Sequence, residues 1–330
     1  MLLKLYKGTG FGVIFLLLIT AIGLWLGPIL KPQLPVYYTG VNTMPLFTMV
    51  RNFIGENARA GVLISLALVI LTSLLLANFN LTGILISDRT FLPAALFIIL
   101  SAVLPVTQTL NPGLFATVFL LLALIRIIDS YRKNGTANNF FDAALLISIG
   151  SLFYVDLIWM ELLVFLGMIL LRTLNIKEVA ISIVGILTPY LILYGTYYSL
   201  GKDINDLNTL ILSNVFGESG SIYLSRIVIV TLIMAGLFVS ISIFHLFSVL
   251  NAKKIRSRKS FSLLLWIFVL AIVSFVFLPS VSSEIIYIIA IPVSYLISHY
   301  CFFLKKKYVP GIFFTVILAL TIILQILYYQ

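Results

Sequence analysis

Long apolar runs recur from Phe11 almost to the last residue of the chain, and no other feature constrains the fold so strongly. A helix crosses the bilayer core with about 20 mainly apolar residues, and about 17–25 is the usual range. Backbone polar groups find no water in that core, so the runs must satisfy their own hydrogen bonds as helices. Of the 330 residues, 62% are hydrophobic and 10% charged, with a mean hydropathy of +1.17. Soluble domains carry about 25% charged residues. A soluble chain of this composition could not cover its own surface, and no polar stretch is long enough for a separate soluble domain.

The runs divide into eleven expected spans: Thr9–Leu26, Ala60–Ala77, Phe91–Val106, Gly113–Ile128, Asn139–Tyr154, Leu157–Leu171, Val179–Leu200, Ile227–Leu250, Phe261–Leu278, Ile285–Phe303 and Gly311–Tyr328. Turn chemistry separates them, at Ser87-Asp88-Arg89, Leu110-Asn111-Pro112, Asn134-Gly135 and Gly201-Lys202-Asp203. Two divisions are tight, at Gln108–Pro112 and Val155-Asp156, where short halves form helical hairpins. Lys4 and Lys7 precede the first run as in a signal peptide. That run ends in Gly27-Pro28 without a small-residue cleavage site, so an uncleaved first span is expected.

Charge assigns the sides. With the N-terminus inside, sixteen of the 21 basic residues fall on inner loops: Lys4, Lys7, Arg89, Arg126, Arg132, Lys133, Arg172, Lys177, the five of Lys253–Lys259 and Lys305–Lys307. Lys31, Arg51, Arg59, Lys202 and Arg226 fall outside, with seven of the 11 acids (Glu56, Asp156, Glu161, Asp203, Asp206, Glu218 and Glu284). Such an alternation fits an inner membrane protein with the N-terminus in and the C-terminus out. It also accounts for the net charge of +10 without a nucleic-acid partner. The basic clusters are expected to meet anionic lipid.

Soluble-enzyme motifs are absent: the sequence has no Walker loop, GxSxG, HExxH or CxxC pair. The lone Cys301 and the separated His245 and His299 lack ligand spacing, so no metal site is expected and both histidines read as satisfied structural residues. Arg126 with Asp129, three apart, is expected to pair on one helix, and Asp142 to favour the positive end of its own helix. The polar residues that could carry chemistry gather on the outer side. Two outer segments are longer than turns. The first, Gly27 to Arg59, holds Pro28, Pro32, Pro35, the Tyr37-Tyr38 pair and an amphipathic stretch, Met44–Phe53, which reads as a surface helix. The second, Gly201 to Arg226, holds a short apolar piece at Leu207–Leu212.

Arg51, Arg59 and Arg226 are the candidate lipid-phosphate binders, because a planar guanidinium grips phosphate oxygens in pairs. Glu56 is the first candidate general base. Glu161, one turn into the sixth span, and Asp156 at the hairpin tip are the others, since carboxylates at membrane depth need a partner or a cavity. The plainer reading places all of these at the lipid headgroup level, with Glu56 and Arg59 pairing three apart.

From Arg89 to Tyr198 the chain resembles a family of uncharacterised polytopic inner-membrane proteins of Bacteroidetes. The resemblance rests on RTFLPAAL from Arg89, Leu110-Asn111-Pro112, DSYRK from Asp129 and above all FFDAALLISIGSLFY from Phe140 to Tyr154. In architecture it is also similar to GT-C-type glycosyltransferases, which place long outer loops after spans one and seven. That likeness implies a seven-helix module over residues 1–200, including the loop 27–59, followed by an outer loop and four helices over 201–330. It implies a polyprenyl-phosphate-linked sugar as donor substrate. GT-C enzymes carry a catalytic acid early in the first outer loop; here Gly27–Arg51 holds none, and Glu56 stands at its far end. The alternatives are a non-catalytic scaffold subunit with envelope protein partners and a lipid or solute transporter. A transporter built on inverted repeats would show repeated or broken spans. No repeat of fixed period is visible, although Pro189 and Pro292 interrupt two spans.

Overall fold

A computed structural model describes residues 2–34, 43–81, 85–86, 89–131, 137–171, 175–217, 225–304 and 308–330. Every regular element among them is helical. In chain order these are α1 (Leu2–Leu5), α2 (Phe11–Leu24), α3 (Leu26–Leu30), α4 (Pro45–Ile54), α5 (Ala58–Leu81), α6 (Leu92–Ser101), α7 (Pro112–Asp129), α8 (Ala137–Ser151), α9 (Leu162–Leu171), α10 (Ile176–Ser199), α11 (Ile204–Phe216), α12 (Arg226–Leu250), α13 (Ile255–Phe277), α14 (Ile286–Phe303) and α15 (Tyr308–Tyr329). Short 3₁₀ turns occupy Pro105–Thr107, Val155–Glu161 and Ser283–Ile285. Among the described residues, seven segments are long and apolar enough to cross a membrane: α5, α7, α10, α12, α13, α14 with its 3₁₀ turn, and α15. The other four expected spans are shorter helices: α2 with 14 residues, α6 with 10, α8 with 15 and α9 with 10.

Burial explains α6. Every residue of α6 is buried. A helix that is apolar all round belongs inside the bundle, and here its partner is α14, buried from Tyr287 to Cys301 except at Ile289. At about 1.5 Å per residue α6 rises only about 15 Å, and the Pro105–Thr107 turn follows it. Buried tyrosines of α14 tie the two layers: Tyr295 Oη donates to the Leu76 carbonyl at 2.7 Å and Tyr287 Oη to the Thr107 carbonyl at 2.9 Å. Around this centre, α10, α12, α13 and α15 expose large apolar side chains such as Leu191, Phe244, Phe277 and Ile326. Such a surface fits lipid rather than water.

The two ends of the bundle differ in charge. One end holds Lys7, whose Nζ donates to the Cys301 carbonyl at 2.8 Å, and Lys253, which sits 4.4 Å from the Phe303 ring centre. Two ion pairs close it. Arg126 reaches Asp142 of α8 at 3.6 Å, and Asp129 reaches Arg256 of α13 at 3.4 Å. The expected pairing of Arg126 with Asp129 is therefore replaced by two contacts between helices, because packing brings α8 and α13 beside the end of α7. At the opposite end, Lys31 Nζ donates to the Gln330 carbonyl at 2.9 Å and Tyr328 Oη to Gln33 Oε1 at 3.1 Å. Glu56, Asp156, Glu161 and Glu284 lie at this acidic end. Several sequence-based assignments lie outside the described residues: Pro35, the Tyr37-Tyr38 pair, Asp88, Arg132, Lys133, the Asn134-Gly135 turn, Arg172, Glu218 and Lys305–Lys307.

Candidate functional site

At the acidic end, α4 is a two-faced helix. Pro45 opens it, Pro45 and Phe47 are buried, and Met49 and Phe53 stand exposed on the other side. It ends at Gly55, whose φ of 65° is the left-handed conformation that a side chain disfavours. Glu56 and Asn57 follow in the turn, and α5 begins at once at Ala58. Leu110 supplies the facing wall, held there because Ser65 Oγ of α5 donates to the Thr109 carbonyl at 2.7 Å. The result is a depression of about 480 Å³ lined by Leu34, Arg51, Asn52, Glu56, Asn57 and Leu110, among others. Arg51 and Glu56 thus share one hollow. Arg59 is exposed as the second residue of α5 and is not among the lining residues. The expected ion pair between Glu56 and Arg59 is not formed among the described residues.

Asp156 and Glu161 occupy a different place. Both sit on the 3₁₀ turn at the tip of the α8–α9 hairpin, and both are buried rather than solvated at headgroup level. Asp156 Oδ1 accepts from Ser280 Oγ at 3.1 Å, and Tyr154 also hydrogen-bonds it. Burial raises its carboxyl to about 6, and those two hydrogen bonds pull the other way. Glu284, on the loop before α14, acts on the same Tyr154, so the two acids converge across a long stretch of chain. Gly113 makes that approach possible: a methyl group there would lie 2.9 Å from the Glu284 carbonyl oxygen and 3.1 Å from Asn111 Oδ1. Glu161 is not among the groups acting on Tyr154, and both of its oxygens are buried without a hydrogen-bond partner among the described residues.

Arg226 belongs to neither place. It is the exposed first residue of α12, between Ser225 and Ile227, which line a separate apolar hollow. Sequence reasoning missed Asn52, Asn57 and Leu110 as neighbours of Arg51, and Glu284, Tyr154 and Ser280 as neighbours of Asp156. A glycine directly after an amphipathic helix was the one signal for the first group; in the second, Tyr154 is a near neighbour of Asp156 in sequence, but Ser280 and Glu284 come from the distant loop between α13 and α14 and carry no signal.

At the basic end the two histidines meet, contrary to expectation. α12 and α14 pack together, placing the rings of His245 and His299 5.8 Å apart, with His299 also 5.1 Å from Phe261. Neither nitrogen of His299 has a hydrogen-bond partner among the described residues, so the reading of satisfied histidines is corrected. Among the described residues, no three His, Cys, Asp or Glu side chains stand at metal-binding distance.

Fold and polar ends together define a class: an all-helical protein with several helices long and apolar enough to cross a membrane, with Asp156 and Glu161 buried at one hairpin tip and Glu178 buried at the start of α10. Within that class, residues 29–330 match the family of unknown function DUF6427, and the chain belongs to that family. The match reaches well beyond the Arg89–Tyr198 stretch that carries the resemblance in sequence. No curated protein and no solved structure matches the chain.

Proposed function

We propose that this chain is an eleven-span protein of the bacterial inner membrane, with its N-terminus inside, that binds a polyprenyl-phosphate-linked sugar at the outer face and transfers the sugar to an envelope acceptor. One observation carries the reading: Arg51 and Glu56 line the same depression at the acidic end. The segregation of Lys7, Lys253 and Arg256 at the other end supports the orientation, because basic loops are retained on the cytoplasmic side. In the transfer, an acceptor hydroxyl oxygen bonds to the anomeric carbon while the bond from that carbon to the phosphate oxygen breaks. Glu56 takes the hydroxyl proton, and Arg51 stabilises the charge on the departing lipid phosphate. Arg59, on the adjacent turn of α5, contributes to the field that attracts the phosphate.

A second reading, a non-catalytic membrane scaffold for envelope proteins, is favoured by the scatter of the other candidates. Asp156 and Glu161 are buried in a hairpin, and Arg226 stands exposed at the start of α12, away from Arg51 and Glu56. The assay is transfer of radiolabelled sugar from a polyprenyl-phosphate donor in membranes containing each variant. Under the transferase reading Glu56→Gln lowers the rate by about 10²–10⁴-fold, and Arg51→Ala is rescued only in part by Arg51→Lys, which lacks the guanidinium fork. Unchanged transfer in Glu56→Gln, in Glu161→Gln and in the Arg51/Arg59 double alanine variant leaves the scaffold reading standing.

A further inference from the structure

The basic end holds a cluster that the proposed transfer does not use. His299 of α14 is fully buried, and both of its ring nitrogens lack a hydrogen-bond partner among the described residues. Nδ1 of His245, on α12, is buried and unpartnered in the same way. Lys253, in the turn between α12 and α13, lies against them. Its Nζ stands 4.4 Å from the centre of the Phe303 ring and 5.5 Å from that of Phe261, and His299 packs on the same two rings at 4.7 and 5.1 Å. The Lys253 charge acts on both imidazoles. Among the described residues its ammonium has no hydrogen-bond or ion-pair partner, and no carboxylate acts on either ring.

Buried polar groups nearly always find a partner, and here the groups without one share a need. A neutral imidazole offers one N–H and an ammonium three, so the cluster is rich in donors and lacks a negative acceptor. A metal cation would be repelled by Lys253; an anion would be attracted. The donors come from two helices and a turn, so an anion with several oxygens meets more of them than a halide does. The surroundings point the same way. His245 is half-buried, and Phe244 and Phe247 beside it expose their rings on the outward face of α12. His245 lies about 7 Å before the end of α12 and His299 about 6 Å before the end of α14, at about 1.5 Å per residue. That is close to the level at which lipid headgroups meet their acyl chains.

We propose that Lys253, His245 and His299 form a binding site for a phosphate group, presented by an anionic lipid headgroup or as free phosphate. Lys253 supplies the charge, and the imidazole N–H groups orient the phosphate oxygens. The site lies at the end of the molecule opposite Arg51 and Glu56, and it stands whether or not the chain transfers a sugar.

The sequence has only 2 histidines, so nitrogen-15 NMR of histidine-labelled protein, purified without a histidine tag, sees these two rings alone. The full chain is held in maltoside micelles, which contain no phosphate. It is titrated with phosphatidylglycerol, with a diacylglycerol of the same acyl chains, or with inorganic phosphate, and the spectrum of His245→Phe assigns the two rings. Both imidazoles are expected to shift with phosphatidylglycerol and not with diacylglycerol. A matching shift with inorganic phosphate makes free phosphate a ligand; a response to the lipid alone assigns the site to the headgroup. Lys253→Gln should weaken the titration by about tenfold, the effect of losing one hydrogen bond to a charged group, and Lys253→Arg should retain most of it. Lys254→Gln removes the same charge from the exposed neighbouring residue and should leave the midpoint unchanged. Arg51→Ala and Glu56→Gln should leave it unchanged as well. No shift with either phosphate compound, an equal shift with diacylglycerol, or equal weakening in Lys253→Gln and Lys254→Gln would each overturn the site.

Discussion

Asp156 shows how far a single acid's position was legible. Its place at a hairpin tip follows from the apolar halves on either side, but its burial and its bond to Ser280 do not, because Ser280 is 124 residues away. The burial has a pH signature. The carboxyl is lifted from 3.8 to about 6 in the folded protein, so between those values the fold holds a proton that the unfolded chain has lost. Stability from this group is full below 3.8 and is lost as pH rises to about 6. Thermal unfolding in detergent should therefore show Tm falling across that window, and Asp156→Asn should flatten the fall and raise Tm at pH 7.5 relative to the parent protein. Glu56 gives the contrast. It is exposed and unpaired among the described residues, so Glu56→Gln should leave Tm within about 0.5 kcal/mol of unchanged stability, and any loss of sugar transfer then reports chemistry rather than folding.

Elements were legible in proportion to their apolar length. The expected span Ile227–Leu250 matches α12 within one residue. α13, expected from Phe261, begins six residues earlier at Ile255, because Arg256, Arg258 and Lys259 extend the helix rather than precede it. α11 was read only as the apolar piece Leu207–Leu212, yet the helix covers Ile204–Phe216. Interleaved Asn, Asp and Thr hid it, although Asp203, whose side chain accepts from the Asn205 amide at 2.9 Å, is an ordinary N-cap signal. The apolar Leu157, Ile158 and Trp159 place the start of the sixth span in sequence at Leu157, whereas they belong to the 3₁₀ tip of the α8–α9 hairpin and α9 starts at Leu162. Contacts between elements were not legible at all, and Gly113 is where one can be measured. Adding a side chain there pushes the start of α7 against Glu284, so Gly113→Ala should destabilise the bundle by about 1–3 kcal/mol, the usual cost of overpacking. Denaturant unfolding followed by tryptophan fluorescence reads that loss. The same change at Gly236, which faces open space, should cost far less.

At the scale of the whole molecule, apolar periodicity supplied the class and charge supplied the expected sidedness. The arrangement around a buried α6–α14 pair was beyond both, since every apolar run looks alike until it is packed. Sidedness is open to a direct measurement. In a Cys301→Ala background, Asn205→Cys near the start of α11 should react with a membrane-impermeant maleimide in intact spheroplasts, whereas Asn251→Cys, in the turn between α12 and α13, should react only after the membrane is broken. Reaction at both sites in intact spheroplasts would reverse or scramble the proposed orientation. The packing of α15 against the beginning of the chain has a further consequence. Tyr6 meets Phe314 with ring centres 5.6 Å apart, and Tyr328 donates to Gln33 nearly three hundred residues earlier. During synthesis the earliest helices therefore enter the bilayer long before the surface that will cover them exists, and they wait, half assembled, for the ribosome to deliver it. A ribosome that stalls ahead of Tyr308 leaves a protein complete in most of its helices yet open along one seam, the form that membrane proteases and insertion chaperones would meet first.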